Sequence, residues 1–310
     1  MIFTVTLNPA VDRELIVTEM VFDSVLRAVE ARVDFGGKGF NVARLLKGLG
    51  ADCVCVGFLG GRTGELLQDG LRSLGIDTDF VWVPGETRTN ISIVETVQSR
   101  YLKVNEKGPV ISAEKQAELL DKIRSLAQPG DWWILAGSLP PGVPDTFYAD
   151  IIRILNKKQA RTVLDTSGAA LRAGCLEKPY LAKPNAEEVH TLTGMSVDTL
   201  PELTVAARAI LALGVENLVI SMGKEGAILQ SAEGAFLARS PAVMEKNPIG
   251  AGDSMVGGLI WGLTQGMSLK EALSWGVASG AATASLSGTE VGSRPLIESL
   301  HQQARIEPLT

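Results

Sequence analysis

Histidine and cysteine are scarce in this chain of 310 residues, which has two histidines and three cysteines. His190 and His301 are too few to suggest a histidine-based catalytic triad or a zinc site. Cys53 and Cys55 stand two apart in an apolar run and Cys175 is distant from both, so we predict buried free thiols rather than a disulfide or a metal site. A general base, if the chain has one, must therefore be a carboxylate.

A surplus of positive charge is also missing. Lys and Arg number 29 against 35 Asp and Glu, and the resulting net charge of −6 disfavours nucleic acid or an anionic membrane as the main partner. The first segment, Met1–Leu7, has the pattern of a β-strand. It does not show the basic start, apolar core and cleavage site that are typical of a secretory leader. We therefore expect a cytoplasmic protein in which local charges hold any anionic substrate.

Two common phosphate-binding fingerprints are absent as well. The sequence has neither a Walker A pattern nor a strand-linked Gly-x-Gly-x-x-Gly with a later acid, which disfavours P-loop and dinucleotide-binding folds. No internal repeat or low-complexity linker divides the chain, and 45% of its residues are hydrophobic, which is enough for a large core. We expect a single domain over residues 1–310.

Short apolar runs alternate with helical patterns along most of the chain. The runs hardly alternate in polarity, as is typical of strands buried on both faces, and the segments between them place apolar residues three and four apart. Gly50, Gly75 and Gly214 end three of the predicted helices. The predicted strands are Ile2–Leu7, Cys53–Leu59, Trp132–Ala136, Thr162–Asp165, Tyr180–Ala182 and Leu218–Ser221, and the predicted helices are Phe40–Leu49, Gly64–Leu74, Ala113–Ala127, Thr146–Asn156 and Glu202–Leu213. This order predicts an α/β fold with a mostly parallel sheet covered by helices.

Two stretches depart from this rhythm and alternate apolar with polar residues. They pair Leu15–Val17 with Ala28–Asp34, and Asn90–Thr96 with Tyr101–Val104. Such alternation is typical of half-exposed antiparallel strands. We predict a small second sheet that covers one end of the main domain, and we refer to it as the lid.

Near the C-terminal end a glycine turn leads directly into an apolar helix, and a carboxylate stands at the junction. Asn247–Ser254 reads NPIGAGDS and continues into the Gly-rich stretch Met255–Gly262. Free N–H groups at a helix start attract phosphate oxygens and would form an anion hole. Asp253 beside a bound phosphate makes sense as the base that takes a proton from the attacking hydroxyl. The alternative is a plain acidic N-cap after a glycine turn.

Other glycine-rich segments follow predicted strands, where ligands of open α/β sheets bind. Gly36–Gly39 reads GGKG, stands before Asn41 and opens the first clear helix, and Ser221–Gly226 reads SMGKEG. Each segment also fits an ordinary turn.

Taken in order, these segments resemble the PfkB family of ribokinase-like sugar kinases over nearly the whole chain. The matching motifs are TLNPAVD at 6–12, GGKG at 36–39 with Asn41, GSLPPG at 137–142, KPN at 183–185 with Glu188, the turn at 221–226 and GAGD at 250–253. The resemblance implies a ribokinase-like three-layer α/β domain with a mostly parallel central sheet. It also implies a β-sheet lid inserted at about 12–35 and 87–106.

The resemblance further implies a role for the motif residues. Asp253 is the catalytic base, Gly250, Ala251 and Gly252 form the anion hole, and Glu188 acts on Mg²⁺ through water. The implied sugar-binding residues are Asp12, Gly37, Lys38, Asn41 and Ser138, and the implied nucleotide-binding residues are Lys183, Asn185, Ser221, Gly223, Gly226, Ala278 and Gly280. ATP is then the phosphoryl donor.

Three cations are candidates for holding a second phosphate. Arg27 lies between the first two lid strands, Arg88 precedes the third, and Lys38 completes a possible clamp. Arginine binds a phosphomonoester bidentately, whereas an unphosphorylated sugar offers it no such partner. The alternative for each cation is a solvated surface charge. Relatives often carry Asn where Leu26 stands and a small hydroxyl residue where Pro248 stands.

The resemblance implies an ATP-dependent kinase acting on a ketohexose monophosphate. We favour fructose 1-phosphate, converted to fructose 1,6-bisphosphate, because Thr6–Asp12 and the GGKG loop look most like that group. Tagatose 6-phosphate and fructose 6-phosphate stay open as substrates. A non-catalytic sugar-phosphate sensor is the alternative from another class, and a nicotinamide oxidoreductase lacks its fingerprint. Lid sheets of related kinases pair between subunits, so we expect a homodimer.

Overall fold

The computed structural model describes residues 1–98 and 100–309 and divides them into a large sheet with helices on both sides and a separate small sheet. In the described residues the strands of the large sheet are β1 Ile2–Thr6, β4 Val54–Leu59, β5 Asp77–Trp82, β8 Trp132–Ala136, β9 Arg161–Asp165, β10 Leu181–Ala182, β11 Asn217–Ser221, β12 Ala227–Ser231, β13 Gly234–Arg239 and β14 Arg305–Pro308. Their spatial order is β14-β13-β12-β11-β10-β9-β8-β1-β4-β5. Neighbours from β11 through β5 run parallel, which confirms the predicted mostly parallel sheet.

The helices form the two outer layers. Their bounds are α1 Lys38–Gly48, α2 Gly61–Ser73, α3 Ala113–Leu126, α4 Phe147–Lys157, α5 Gly168–Leu176, α6 Ala186–Thr193, α7 Leu200–Leu211, α8 Ala251–Thr264, α9 Leu269–Ala284 and α10 Arg294–His301. One core cluster packs α1, α2 and α8 to α10 on one face of the sheet, and the other packs α3 to α7 on the opposite face. Successive strand residues such as Trp132 and Trp133 belong to opposite clusters, because side chains alternate across a strand.

The elements that the sequence patterns do not predict are short or lie at an edge. β12, β13 and β14 extend the sheet beyond β11 by antiparallel pairing. Residue patterns are weak in α5, which contains two glycines, and in α10, which spans eight residues with proline in its first turn. By contrast, the predicted glycine stops are confirmed, since Gly50 and Gly75 take left-handed φ values of 85° and 72° just after α1 and α2.

The small sheet is the predicted lid. Its strands are β2 Ala10–Val17, β3 Glu30–Gly36, β6 Arg88–Glu95 and β7 Tyr101–Asn105, in the order β3-β2-β6-β7. The two outer pairings are antiparallel, as predicted, but the central pair β2 and β6 is parallel. The sequence patterns made no prediction for this central pair, which joins two segments that lie far apart in the chain. Ala10 and Arg88 stand opposite each other in this pair.

None of the helices described in residues 1–98 and 100–309 combines the length and the apolar character that a membrane crossing requires.

Candidate active site

Asp253 lies in the first turn of α8 and is almost completely buried, with 7% of its surface exposed. Gly250 is the N-cap residue, in the left-handed conformation at φ 79°, and Asn41 Nδ2 donates a hydrogen bond of 2.8 Å to Asp253 Oδ2. The simpler interpretation of Asp253 as an acidic N-cap is therefore wrong, because Gly250 holds that position. The carboxylate is instead held in place by a side chain of α1.

The surroundings of Asp253 raise its pKa to about 6. Burial is the main cause, and the negative charge of Asp165 adds to it. The hydrogen bond from Asn41 and the charges of Lys38 and Lys183 act in the opposite direction. A carboxylate with this pKa is ionised at neutral pH and still basic enough to accept a proton, which is what a general base requires.

Asp165 is a functional candidate that the sequence reasoning missed. It is the last residue of β9, with 1% of its surface exposed. Lys38 Nζ donates to its Oδ1 at 3.0 Å, and Lys183 Nζ lies 3.4 Å from its Oδ2. The available signal was an acid at the carboxyl end of a buried parallel strand, where ligands of open α/β sheets bind.

Lys38 lies with Asp253 and Asp165 rather than with the proposed phosphate clamp. Burial would lower the pKa of Lys38, but attraction to Asp165 and Asp253 outweighs burial and raises the pKa above its usual value. Its ammonium group stays charged. The structure therefore places Lys38 beside Asp165, within the electrostatic influence of Asp253.

A cavity of about 580 Å³ adjoins the start of α8. Its polar wall includes Asn185, Ser221 and Gly223, and Ala251 and Gly252 border it where α8 begins. Much of the remaining wall is apolar, from residues Pro241, Ala242, Val243, Met255, Val277, Gly280, Ala281 and Ala284. The structure thus brings most of the predicted nucleotide-binding residues to one cavity with an apolar pocket for a flat ring.

Three predicted nucleotide-binding residues lie outside that wall, and one of them, Lys183, stands beside Asp165 instead. The other two, Ala278 and Gly226, have structural reasons for their size. Ala278 is fully buried in the core cluster beneath α9, so its small size serves helix packing. Gly226 has φ 107°, and a Cβ there would lie 1.9 Å from the carbonyl oxygen of Ala238, so glycine is required by the β12–β13 hairpin. Neither residue is retained in the candidate nucleotide site.

Asn185 and Glu188 form a capping box at the start of α6. The Asn185 side chain accepts from the Glu188 N–H, and Glu188 Oε2 accepts from the Asn185 N–H, both at 2.8 Å. In the part of the chain that the structure describes, no group of three or more His, Cys, Asp or Glu side chains could hold a metal ion. A single carboxylate beside a phosphate site still fits Mg²⁺, which keeps several waters and binds substrate phosphates.

On the lid, Asp12 and Arg88 are fixed by polar contacts. Asn90 Nδ2 donates to Asp12 Oδ1 at 2.7 Å across the β2–β6 pair. Arg88 donates to the carbonyl oxygens of Asn8 at 3.0 Å and Glu106 at 3.2 Å, and its buried Nε has no hydrogen-bond partner. Burial lowers the pKa of Arg88. A partly buried, incompletely satisfied guanidinium is suited to an anionic ligand.

The remaining predicted sugar-binding residues occupy three places. Gly37 is the N-cap of α1, with φ 146°. Ser138 follows Gly137, whose carbonyl accepts from Tyr148 and Thr166 and whose N–H donates to the Asp165 carbonyl. Arg27 lies in the exposed loop between β2 and β3, and no hydrogen bond or ion pair within the described residues involves it.

The sequence and structure were then compared with known proteins. The chain is 35% identical to a 1-phosphofructokinase from Bacillus subtilis over the full length of both. It is 33% identical to a tagatose-6-phosphate kinase from Staphylococcus epidermidis over 88% of each chain. A solved structure of the tetrameric inhibited form of phosphofructokinase-2 from Escherichia coli matches 97% of this chain and 98% of its own, with a TM-score of 0.91 and 28% identity.

The buried carboxylate of Asp253 stands at a glycine-led helix start that borders the cavity, and the small sheet follows strands β1 and β5 at their carboxyl ends. The fold is ribokinase-like. The model of the pfkB family of carbohydrate kinases matches residues 5–295. The chain belongs to this family, and it is a kinase.

Proposed function

We propose that the chain transfers the γ-phosphoryl group of ATP to the 6-hydroxyl of fructose 1-phosphate, giving ADP and fructose 1,6-bisphosphate. The observation that carries this proposal is the buried carboxylate of Asp253 in the first turn of α8, beside two lysines. Asp253 removes the proton of the attacking hydroxyl as the new O–P bond forms and the bond to the β-phosphate oxygen breaks. The backbone N–H groups of Gly250 and Gly252 receive the charge on the transferred group, whereas the N–H of Ala251 donates to the Pro248 carbonyl at 3.1 Å.

The cavity at the start of α8 is the proposed ATP site. Its apolar wall at Val243, Val277 and Ala281 suits the purine, and Asn185 and Gly223 stand on the polar side that leads to the anion hole. Glu188 would hold Mg²⁺ through water, and the bound metal would neutralise phosphate charge. Lys38 and Lys183 supply fixed positive charge next to Asp253.

The lid supplies the proposed sugar-phosphate end. Arg88 borders a pocket of about 520 Å³ together with Lys107, Glu86 and Glu106. The two carboxylates accept from the backbone N–H groups of Thr63 and Thr89, which leaves the two cations for an anionic ligand. The guanidinium is already oriented by two carbonyl oxygens, so little side-chain entropy remains to be lost when it binds a phosphate. Asp12 lies two residues along β2 from Ala10, the partner of Arg88, and can accept sugar hydroxyls.

The relatives include both 1-phosphofructokinases and tagatose-6-phosphate kinases, so two ketohexose phosphates are candidate substrates. Fructose 1-phosphate is favoured, because the full-length relative is a 1-phosphofructokinase, whereas the tagatose-6-phosphate kinase match covers 88% of each chain. A non-catalytic sensor is disfavoured by the carboxylate of Asp253, since a pure binder has no need of a buried base facing an anion site.

The test is the release of ADP from Mg-ATP with fructose 1-phosphate, tagatose 6-phosphate, fructose 6-phosphate and free fructose. We expect the largest kcat/KM with fructose 1-phosphate. A higher value with free fructose would remove Arg88 from phosphate binding, and no turnover with any of the four would contradict the kinase assignment on ketohexoses.

We also propose a homodimer that forms through the lid. One face of the lid places Val33, Arg13, Ile91 and Val104 opposite one another across the four strands, so that one charged residue stands among three apolar ones. Three of them are exposed apolar side chains, with Val104 exposed by 57%. The opposite face carries Asp12 and Asn90. The exposed apolar face, which carries Val33, Ile91 and Val104, is suited to pairing with the same face of a second copy.

A further inference from the structure

Asp165 connects two lysines that come from different parts of the fold. Lys38 belongs to the first turn of α1, and Lys183 follows β10. The carboxylate of Asp165 lies between them, with Oδ1 accepting from Lys38 at 3.0 Å and Oδ2 lying 3.4 Å from Lys183. Lysine side chains have four flexible bonds, so a buried countercharge is an effective way to fix where the ammonium groups stand.

Asp165 and Lys183 are themselves held by the sheet. The Asp165 carbonyl accepts from the Gly137 N–H at 2.9 Å, and the Lys183 N–H donates to the Leu164 carbonyl at 3.0 Å. These backbone bonds fix where both side chains begin. The arrangement is therefore rigid at its base, which is a requirement for groups that must be placed accurately.

Both lysines face the reacting groups. Lys38 is attracted to Asp253 and to Glu188 as well as to Asp165. Lys183 Nζ lies 3.6 Å from the position that a Cβ on Gly252 would occupy, directly at the anion hole. Asp165 Oδ2 is buried without a hydrogen-bond partner, so Lys183 balances it by charge and keeps N–H groups free for a ligand.

We propose that Asp165 is the positioning residue of the transfer site, which holds the ammonium groups of Lys38 and Lys183 against the start of α8, where they contact the transferred phosphoryl group. This role rests on the proposed kinase function. Asp165 does not touch the substrate and acts through the lysines. The charged groups that face Asp253 are Asp165 from β9, Lys38 from α1 and Lys183 from the segment after β10, while Asn41 is its hydrogen-bond donor.

The first test is Asp165→Asn, which keeps the shape and removes the charge. We expect kcat to fall by about 10²-fold, as when reacting groups lose their placement, with little change in KM for fructose 1-phosphate, since Asp12 and Arg88 are untouched. The acidic limb of the pH profile of kcat/KM should move to lower pH, because a negative charge near Asp253 is lost while the two positive charges remain.

Asp131→Asn is the matched control. Asp131 is also a buried aspartate next to a central strand, and its carboxylate accepts from the Gln128 N–H at 2.9 Å. Its loss should lower the melting temperature without moving the acidic limb. An Asp165→Asn enzyme whose kcat and acidic limb match those of Asp131→Asn would show that Asp165 is merely structural and would overturn the proposal.

Asp165→Glu keeps the test decisive if Asp165→Asn does not fold. The carboxylate can still attract both lysines, but it lies one methylene group further from the backbone of β9. We expect kcat to fall while the acidic limb stays at the wild-type pH. A fully active Asp165→Glu enzyme would overturn the positioning role. An inactive wild-type enzyme on all four sugars would instead contradict the proposed function, so the two failures are distinguishable.

Discussion

At the residue scale, the surroundings of Asp253 make its carboxylate a better base but lower the stability of the fold. The carboxylate is buried and lies near the carboxylate of Asp165, and both effects disfavour its charged form. The charged form is stabilised by Asn41, Lys38 and Lys183, but only in part, since the pKa of Asp253 remains at about 6. Such strain is expected at a site that needs a base, and it leads to two predictions.

The first prediction concerns activity. Asp253→Asn should lower kcat by roughly 10²–10⁴-fold, the usual contribution of a positioned base, with little change in sugar-phosphate affinity. In the wild type, kcat/KM should fall as pH drops through about 6, where Asp253 becomes protonated. Steady-state rates across this range test both statements, with affinities from calorimetry. Near-normal turnover by Asp253→Asn would remove it as the base.

The second prediction concerns stability. A carboxyl group whose folded-state pKa is raised from 3.8 to about 6 destabilises the fold fully above pH 6, and this effect disappears as pH falls below 3.8. Asp253→Asn should therefore raise the free energy of unfolding at pH 8, by up to about 3 kcal/mol. Urea denaturation at pH 8 and pH 4 measures this difference. A variant less stable than the wild type at pH 8 would contradict the pKa assignment.

At the element scale, the first turns of α8 and α6 form the walls of the transfer site. Gly252 belongs to α8 and borders the cavity, while Asn185 and Glu188 cap α6. Gly252 and Asn185 therefore each belong to a helix start and border the cavity proposed for ATP. The structural and the functional contributions can be separated with a control helix elsewhere in the chain.

Gly252→Ala is the third prediction. The new methyl group would lie at ordinary contact distance from Lys183, so the fold should accept it and gain about 0.5–1 kcal/mol of helix stability. It would also stand in the anion hole, so kcat should fall. Gly48→Ala in α1 has open space around its Cβ and should add stability without loss of rate. Thermal unfolding and kcat of both variants test this. Equal activity in the two would remove Gly252 from the anion hole.

The fourth prediction concerns Glu188. Glu188→Gln keeps an oxygen that can accept from the N–H of Asn185, so α6 should remain capped. The loss of charge should raise the Mg²⁺ concentration for half-maximal rate by about 10–100-fold. Glu271→Gln alters the equivalent capping box of α9 and serves as the control. If the two variants need the same Mg²⁺ concentration, Glu188 has no part in metal binding.

At the scale of the whole molecule, the lid has one polar and one apolar face. In solution a single chain of 32.9 kDa would expose the apolar row of Val33, Ile91 and Val104. Burial of such a face in a second copy is favourable, at roughly 25 cal/mol for each Å² of apolar surface removed from water.

The fifth prediction is that light scattering at micromolar concentration gives twice the chain mass of 32.9 kDa. Ile91→Asp should shift the mass towards that of one chain, since a charge would enter the contact. Val205→Asp changes an exposed apolar residue on α7, with 52% of its surface exposed against 39% for Ile91, and should leave the mass unchanged. A wild-type mass of 32.9 kDa would contradict the dimer.

The sequence by itself determined the order of the elements and the segments that form the site. Unbroken apolar runs indicate the buried strands. Turns are indicated by Gly50, Gly75 and Gly250, because their backbone conformations are costly for other residues. The Asp253 segment was predictable for the same local reason, since a glycine turn and a helix start within a few residues of each other.

Only the tertiary structure decided which charges meet. Asp165 gave only one local signal, its place at the end of a buried strand, and that signal does not name its partners. Lys38 and Lys183 stand 127 and 18 residues away and meet Asp165 only when β9 and β10 pair and α1 packs against the sheet. The parallel pairing of β2 with β6 and the burial that sets the pKa of Asp253 likewise depend on long-range packing. Local patterns specify backbone conformation, whereas electrostatics depend on distances that the folded chain alone establishes.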